Sequence, residues 1–414
     1  MSDHERTPLH RLCEAIVDCE HRTAPIAPIG IPSIRTTDIK AGRLDLEHAN
    51  RVSEETYRQW TARLEPRFGD LILAREAPVG EVGIVPPGQR VCLGQRTVLI
   101  RTDQTQVHSR YLLYLLLTPY MRHQLSSHSD GSTVPHLNMS DIRSLSVPQL
   151  PSLSEQIAIA DTLGALDDKI ELNRRMNQTL EAMAQALFKS WFVDLDPVRA
   201  KAEGRPPAGM DAETAALFPD SFEDSVLGEI PRGWRIAKVS EVLELAYGKA
   251  LRGSVRRAGS VPVYGSNGQI GYHDAPLVRG PGIVVGRKGN PGVVIWAHED
   301  FFPIDTTFFV VPRDPSDGLH YLFHALRAMD LQSLGADSAV PGLNRNIAYL
   351  SDMLVPVPAV SHAFSRLVSM LADRNEMNED ENRTLAAIRD ALLPKLLPGD
   401  IRVKEAETMA GAAL

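Results

Sequence analysis

The feature that most constrains this chain is that it repeats itself. Gly131-Ser132-Thr133-Val134-Pro135-His136-Leu137-Asn138 is followed by Val147-Pro148 and a long helical pattern; Asp337-Ser338-Ala339-Val340-Pro341-Gly342-Leu343-Asn344 is followed by Val355-Pro356 and another. The loops are offset by 206 positions (131 to 337), the prolines by 208 (148 to 356) and the helices by 205 (168 to 373). In the helices, nine of twenty aligned positions are identical: Asp168, Glu171, Asn173, Asn177, Thr179, Leu180, Ala182, Ala186 and Leu187 meet Asp373, Glu376, Asn378, Asn382, Thr384, Leu385, Ala387, Ala391 and Leu392. Upstream, Leu71-Ile72-Leu73-Ala74-Arg75 matches Ile283-Val284-Val285-Gly286-Arg287 in kind, an apolar strand running into a basic turn. A duplicated unit, globular part then helix, follows.

The helical patterns are unusual. The first starts at Ser152 and Glu155, which have capping-box spacing, and runs to about Trp191, before Asp196-Pro197. Leu166, Ile170, Asn173, Asn177, Leu180, Ala184, Leu187 and Trp191 alternate spacings of four and three; Leu371, Asn378, Leu385 and Leu392 recur at seven in the second. Such a narrow stripe suits a coiled-coil seam, and a buried Asn in each fixes register at some cost in stability. Two independent packing helices are the bland alternative. The sequence predicts residues 1–150 as a first globular domain, 151–195 as the central helix and 196–228 as a linker. A second domain over 229–359, a C-terminal helix over 360–400 and a tail over 401–414 complete the plan. Asp194 to Ser221, rich in Pro, Ala, Gly and acid, reads as a connection outside any core. Strands are expected at 69–74, 82–85 and 97–100 and an amphipathic helix at 109–123; the second half copies them at 261–268, 282–286, 293–296 and 319–329.

The 414 residues carry a net charge of -8, which argues at first against a nucleic-acid partner. The acid is concentrated in 151–228, with 14 Asp+Glu against 7 Lys+Arg, while 232–288 carry ten basic residues against three acidic. Phosphates respond to the field within about 8 Å at physiological salt, so a local basic face remains a legitimate footprint. Three cysteines without a CxxC pair support neither a disulfide framework nor a cysteine zinc site. No P-loop, no GxGxxG opening a helix and no Pro-Pro-aromatic methyltransferase tetrapeptide occur. The thirteen histidines show no HExxH or paired spacing, so no metal site is expected. The start lacks an apolar signal core, and the longest apolar run, 111–117, is far short of the roughly 20 residues of a membrane span, which predicts a soluble, cytoplasmic protein.

Three blocks are distinctive: Pro148-Gln149-Leu150-Pro151-Ser152-Leu153-Ser154-Glu155-Gln156, then Leu166-Asp167-Asp168-Lys169-Ile170-Glu171-Leu172-Asn173, then Phe188-Lys189-Ser190-Trp191-Phe192-Val193-Asp194-Leu195-Asp196-Pro197-Val198-Arg199-Ala200-Lys201, with Pro231-Arg232-Gly233-Trp234 beyond. Together they resemble the specificity subunit of a type I restriction-modification enzyme. The resemblance implies a mixed α/β (α+β) fold. Two target-recognition domains are separated by two long antiparallel coiled-coil helices in a pseudo-twofold repeat, and each domain reads one half of a split DNA site. It implies that the helices act as a ruler for the spacer between half-sites and that the chain performs no chemistry and binds no cofactor itself. The implied partners are double-stranded DNA, two methyltransferase subunits that use S-adenosylmethionine, and translocase-nuclease subunits that use ATP and Mg²⁺. No membrane is involved. A methylation-only system lacking the translocase, or an interaction scaffold for something other than DNA, are the other readings.

On that resemblance, candidate DNA contacts in the first domain are Arg75, Arg22 and Arg35 in polar loops, and Ser132, Thr133 and His136. In the second they are Lys249, Arg252, Arg256, Arg257, Asn267 in an Asn-Gly turn, Arg287, Lys288 and Arg345. Arg bridges guanine O6 and N7, Asn pairs with adenine N6 and N7, and Lys more often holds phosphates. Asn138 and Asn344 in the matched loops are turn caps on the plainer reading.

Overall fold

The computed structural model describes residues 6–127, 136–226, 228–335, 342–397 and 399–411. The chain divides into two units, Met1–Leu172 with Glu381–Leu414, and Asn173–Asp380.

In the first unit, strands β1 (Cys13–Asp18), β2 (Ile31–Ile34), β3 (Asn50–Val52), β4 (Leu71–Ala74), β5 (Val82–Ile84), β6 (Cys92–Leu93) and β7 (Thr97–Thr102) build two sheets. One is four-stranded and antiparallel in the order β1-β7-β4-β5; the other is three-stranded, β3-β2-β6, with β2 and β6 parallel. The four-stranded sheet is buried on both faces because its strands alternate apolar residues. Leu71, Leu73, Val98 and Ile100 enter one core cluster, while Ile72, Ala74 and Leu99 enter another. Fully burying each such side chain contributes about 1.5–3 kcal/mol. Helix α1 (Ser109–Leu117) packs into the first cluster through Tyr111, Leu112 and Leu116. The predicted helix over 109–123 is in fact two, broken at Thr118-Pro119, where Thr118 adopts the extended backbone that a following proline favours. Short helix α2 (Met139–Ser144) follows, and the long helix α3 (Leu153–Phe188) begins at the predicted capping box: Ser152 Oγ accepts from the Glu155 amide at 3.4 Å and Glu155 Oε2 from the Ser152 amide at 3.1 Å.

The second unit repeats the topology strand for strand. Here β8 (Leu243–Tyr247), β9 (Val261–Gly265), β10 (Gly268–His273), β11 (Gly282–Gly286), β12 (Val294–Ala297), β13 (Phe302–Pro303) and β14 (Thr307–Pro312) form sheets β8-β14-β11-β12 and β10-β9-β13, again with the last pair parallel. Helices α4 (Leu319–Ala328) and α5 (Arg345–Tyr349) stand where α1 and α2 stand in the first unit, and the long helix α6 (Pro358–Leu396) closes the plan.

Both long helices contribute to both units, and within each unit they pair. In the first, Asp167 Oδ1 meets Arg389 Nη1 at 2.7 Å and Lys169 Nζ meets Glu381 Oε1 at 3.2 Å. Rising numbers on α3 against falling ones on α6 make the pairing antiparallel, and Leu166, Ile170, Leu385 and Leu392 are buried there. In the second, Asn378 Nδ2 donates to Asn177 Oδ1 at 2.7 Å, and Asn177 Nδ2 donates to Glu379 Oε1 at 2.9 Å. Asn173, Asn177 and Trp191 are buried as the stripe predicts, whereas Leu180 and Leu187 are half-buried. The bonded Asn pair penalises any slip of one helix past the other.

The stretch expected as a linker is corrected in part. After a π-helical turn over Lys189–Val193, helices form at Asp196–Ala202 and Ala212–Ala216, and Leu195, Val198 and Phe218 lie in the second unit's core. Phe218 meets Trp191 edge-to-face, centroids 4.9 Å apart. Its charged exterior masked this short apolar face.

Candidate nucleic-acid interface

The basic turn after β11 is built by backbone ties. The Arg287 and Lys288 amides both donate to Thr306 O, at 2.9 and 3.1 Å, and the Leu343 amide donates to Arg287 O at 2.9 Å. The Gly248 and Lys249 amides donate to Thr307 O and Pro303 O, both at 3.1 Å. A Cβ on Gly286 would lie 2.1 Å from Asn290 O, so glycine is required for the turn through Asn290 to close on the strand end, and at 3.2 Å Ser266 O of the hairpin turn also comes close. The strand-end edge of the sheet therefore gathers Tyr247, Lys249, Asn267, Arg287, Lys288 and Arg345.

Its electrostatics are one-sided. Arg287 Cζ lies 4.9 Å and Arg345 Cζ 4.7 Å from the centroid of the same Tyr247 ring, and Arg345 also lies 5.6 Å from Tyr349. Arg287 Nη1 donates to Asp305 O at 3.0 Å. Among the described residues none of Arg287, Lys288, Lys249 or Arg345 has an acidic partner within 4.0 Å, and Lys249, Lys288 and Asn267 are exposed. The neighbouring loop is mixed. Arg252 is exposed, Arg256 Nη1 donates to Ile270 O at 2.9 Å, and Arg257 is paired with Asp274 at 2.8 Å.

The same edge of the first unit is built alike and charged differently. The Arg75 amide donates to Arg96 O and the Leu137 amide to Arg75 O, as Arg287 and Leu343 do in the second unit. Yet Arg75 is buried and its guanidinium engaged at each nitrogen: Nη1 meets Asp18 Oδ2 at 2.6 Å, Nε donates to Leu137 O at 2.9 Å, and Nη2 donates to His136 Nε2 at 3.0 Å. His136 Nδ1 in turn donates to Glu76 Oε1 at 2.7 Å, and Glu76 pairs with Arg96 at 2.8 Å. Arg35 is held bidentately by Asp38, at 2.8 and 2.9 Å, a bond that raises its pKa; Arg22 lies over the Trp60 ring at 4.4 Å. Ser132 and Thr133 lie outside the described residues. Asn138 and Asn344 are helix caps of α2 and α5, the plainer reading.

Sequence reasoning missed two features. Tyr247 carries no motif; its signal is an aromatic at a strand end, two residues before Lys249 in the basic segment. His320 and His324 stand one turn apart on α4, against the expectation of no paired histidines. They are packed as rings: His320 stacks on Trp296 at 4.0 Å and 16°, His324 on Phe188 at 5.8 Å and 25°, around a cavity of about 180 Å³. Burial pushes both down to about 4, keeping them neutral. In the first unit, Asp18, Cys19 and His21 offer ligand atoms within 4.8 Å of one another. Arg75 already neutralises Asp18, and burial pushes the Cys19 thiol up, so a cation is disfavoured there.

The two units share one strand order, and the second presents basic side chains without acidic partners among the described residues at its strand ends. Residues 30–182 match the family described as the type I restriction modification DNA specificity domain. The chain is 26% identical to the type I restriction enzyme MjaIX specificity subunit of Methanocaldococcus jannaschii, over 86% of this chain and 82% of that one. It is 28% identical to the HindI specificity subunit of Haemophilus influenzae, over 73% and 80%. Its fold matches the crystal structure of the type I restriction-modification S subunit from M. genitalium, with a TM-score of 0.59 at 17% identity over 96% of this chain and 97% of that one. Along most of its length the chain is thus similar to type I restriction enzyme specificity subunits, and its first half carries the matching specificity domain.

Proposed function

We propose that this chain reads a bipartite DNA target, one half-site per unit, and directs adenine methylation and restriction by partner subunits. The observation that carries the reading is the duplication itself: two units of identical strand order present the same sheet edge, with the same backbone ties, but with different side chains. A shared scaffold with divergent edges is what two readers of two different sequences require. The chain's own part is recognition. S-adenosylmethionine, ATP and Mg²⁺ belong on this reading to the methyltransferase and translocase-nuclease partners, and the assembly works in the cytoplasm. No helix among the described residues is long and apolar enough to cross a membrane. Replacing residues 1–150 with those of a relative of different specificity, then mapping methylated adenines, tests it. One half of the methylated site changes and the other stays; a chimera that alters both halves, or neither, overturns the two-reader arrangement.

A further inference from the structure

Strand register shows which residues of the two units occupy the same place. Asp18 pairs with Val98 and Tyr247 with Phe308, while Thr97 and Thr307 each receive the next amide, from Cys19 and from Gly248. Asp18 and Tyr247 are therefore the same position of the repeat, and each meets the arginine that follows the strand two places across the sheet. In the first unit a carboxylate meets Arg75 and cancels its charge. In the second a phenol ring meets Arg287 and leaves the charge standing.

A ring in this place does something a carboxylate does not. Stacking fixes the plane of a guanidinium through its face and leaves the N–H edge unspent. Among the described residues Arg345 Nε is buried without an acceptor, and its guanidinium lies against the Tyr247 and Tyr349 rings. Tyr349 behind it is itself fixed, its Oη accepting from the Leu245 amide at 3.0 Å. Two cations sharing one ring repel each other, and among the described residues no acid relieves them. An arriving array of acceptors does. Tyr247 is 48% exposed, so its burial in a core is not what the position supplies.

We propose that Tyr247 is a positioning residue for base recognition by the second unit: its ring sets the planes of Arg287 and Arg345 so that the N–H groups left over beside the Asp305 O bond and the buried Arg345 Nε meet acceptor pairs such as guanine O6 and N7. The inference rests on the DNA-reading function proposed above. The experiment selects bound sequences from a randomised duplex pool with the purified full chain. Wild type enriches a two-part motif; if it enriches none, the proposed function fails and this inference with it. Tyr247→Phe, which keeps the ring, retains both parts. Tyr247→Ala and Tyr247→Asp, the latter installing the first unit's residue, lose guanine preference in one part by roughly tenfold, with the other part intact as proof of folding. An unchanged motif in these two variants overturns the inference. So does a uniform fall in affinity with base preference kept, which assigns the arginines to phosphates, and so does loss of both parts, which makes the ring structural.

Discussion

Two arginines at one position of a repeated fold lead different lives. Arg75 is buried, with three partners and a neutralised charge; Arg287 is half-buried, stacked on Tyr247 and unpaired by any acid among the described residues. The next residues differ as sharply, since Glu76 sits between Arg96 and His136 while Lys288 is exposed. The backbone is common to both, so the difference comes from side chains two strands away in the sheet. The scaffold specifies where an arginine stands, and one residue across the sheet, Asp18 or Tyr247, decides whether it serves the fold or remains available to a ligand.

Removing each arginine separates the two roles most strongly. Arg75→Ala leaves the largely buried Asp18 carboxylate with only the Cys19 amide and His21 and frees Leu137 O and His136, so it should cost about 3 kcal/mol of stability. Arg287→Ala forfeits stacking and one bond to Asp305 O, about 1 kcal/mol, while weakening duplex binding. Denaturant unfolding of the full chain should show a transition moved to lower denaturant in the first variant and nearly unchanged in the second. Equal losses would break the comparison.

A second contrast concerns acid. On α4, His320 and His324 stand where α1 carries Arg110 and Tyr114, as Tyr321-Leu322 aligns with Tyr111-Leu112. Arg110 bonds Asp168 and the Tyr114 hydroxyl donates to Asp167, whereas the two histidines are buried and pushed down to about 4. Around them lie Asp373 and Glu181, which favour the charged ring, and Arg327 and His298, which oppose it. The folded values lie below the ordinary 6.5, so the unfolded chain takes up protons first as pH falls. Stability is full above about 6.5 and drains as pH drops towards 4, on the order of 2 kcal/mol per ring by pH 5. Thermal melts from pH 7 to 5 should show the second unit losing more than the first, and His320→Phe with His324→Phe should flatten that difference. A pH profile that the double variant leaves unaltered would count against buried neutral rings as its source.

What was legible in the sequence follows from what repeats. The strands, the long helices and the capping box at Ser152 left periodic or paired signals, because burying a strand on both faces or a helix on a partner requires them. The buried Asn177–Asn378 bond was foreshadowed by polar residues interrupting both apolar stripes. Pairing across strands left no such mark. Nothing near Arg75 in sequence announces Asp18, 57 residues away, nor does Arg287 announce Tyr247, so equal-looking arginines carried equal expectations. The apolar face of 195–218 was likewise too short to stand out from its charged surroundings.

The smallest effect tests the charge difference alone. Lys288→Glu reproduces the Glu76 of the first unit, but the residues that hold Glu76 are missing: Thr306 stands where Arg96 stands, and Gly342 where His136 stands, by the matching backbone ties. An exposed side chain without partners changes stability by no more than about 0.5 kcal/mol. Its effect should show in the salt dependence of duplex binding, where losing one phosphate contact lowers the logarithmic slope by about one unit. Adding Thr306→Arg and Gly342→His should rebuild the Glu76-type network and recover part of any stability lost, while leaving the slope low, because the new arginine's charge is consumed internally. A slope that Lys288→Glu leaves unaltered in a folded protein would mean that this turn faces away from DNA, and the contrast between the two edges would then concern packing and not recognition.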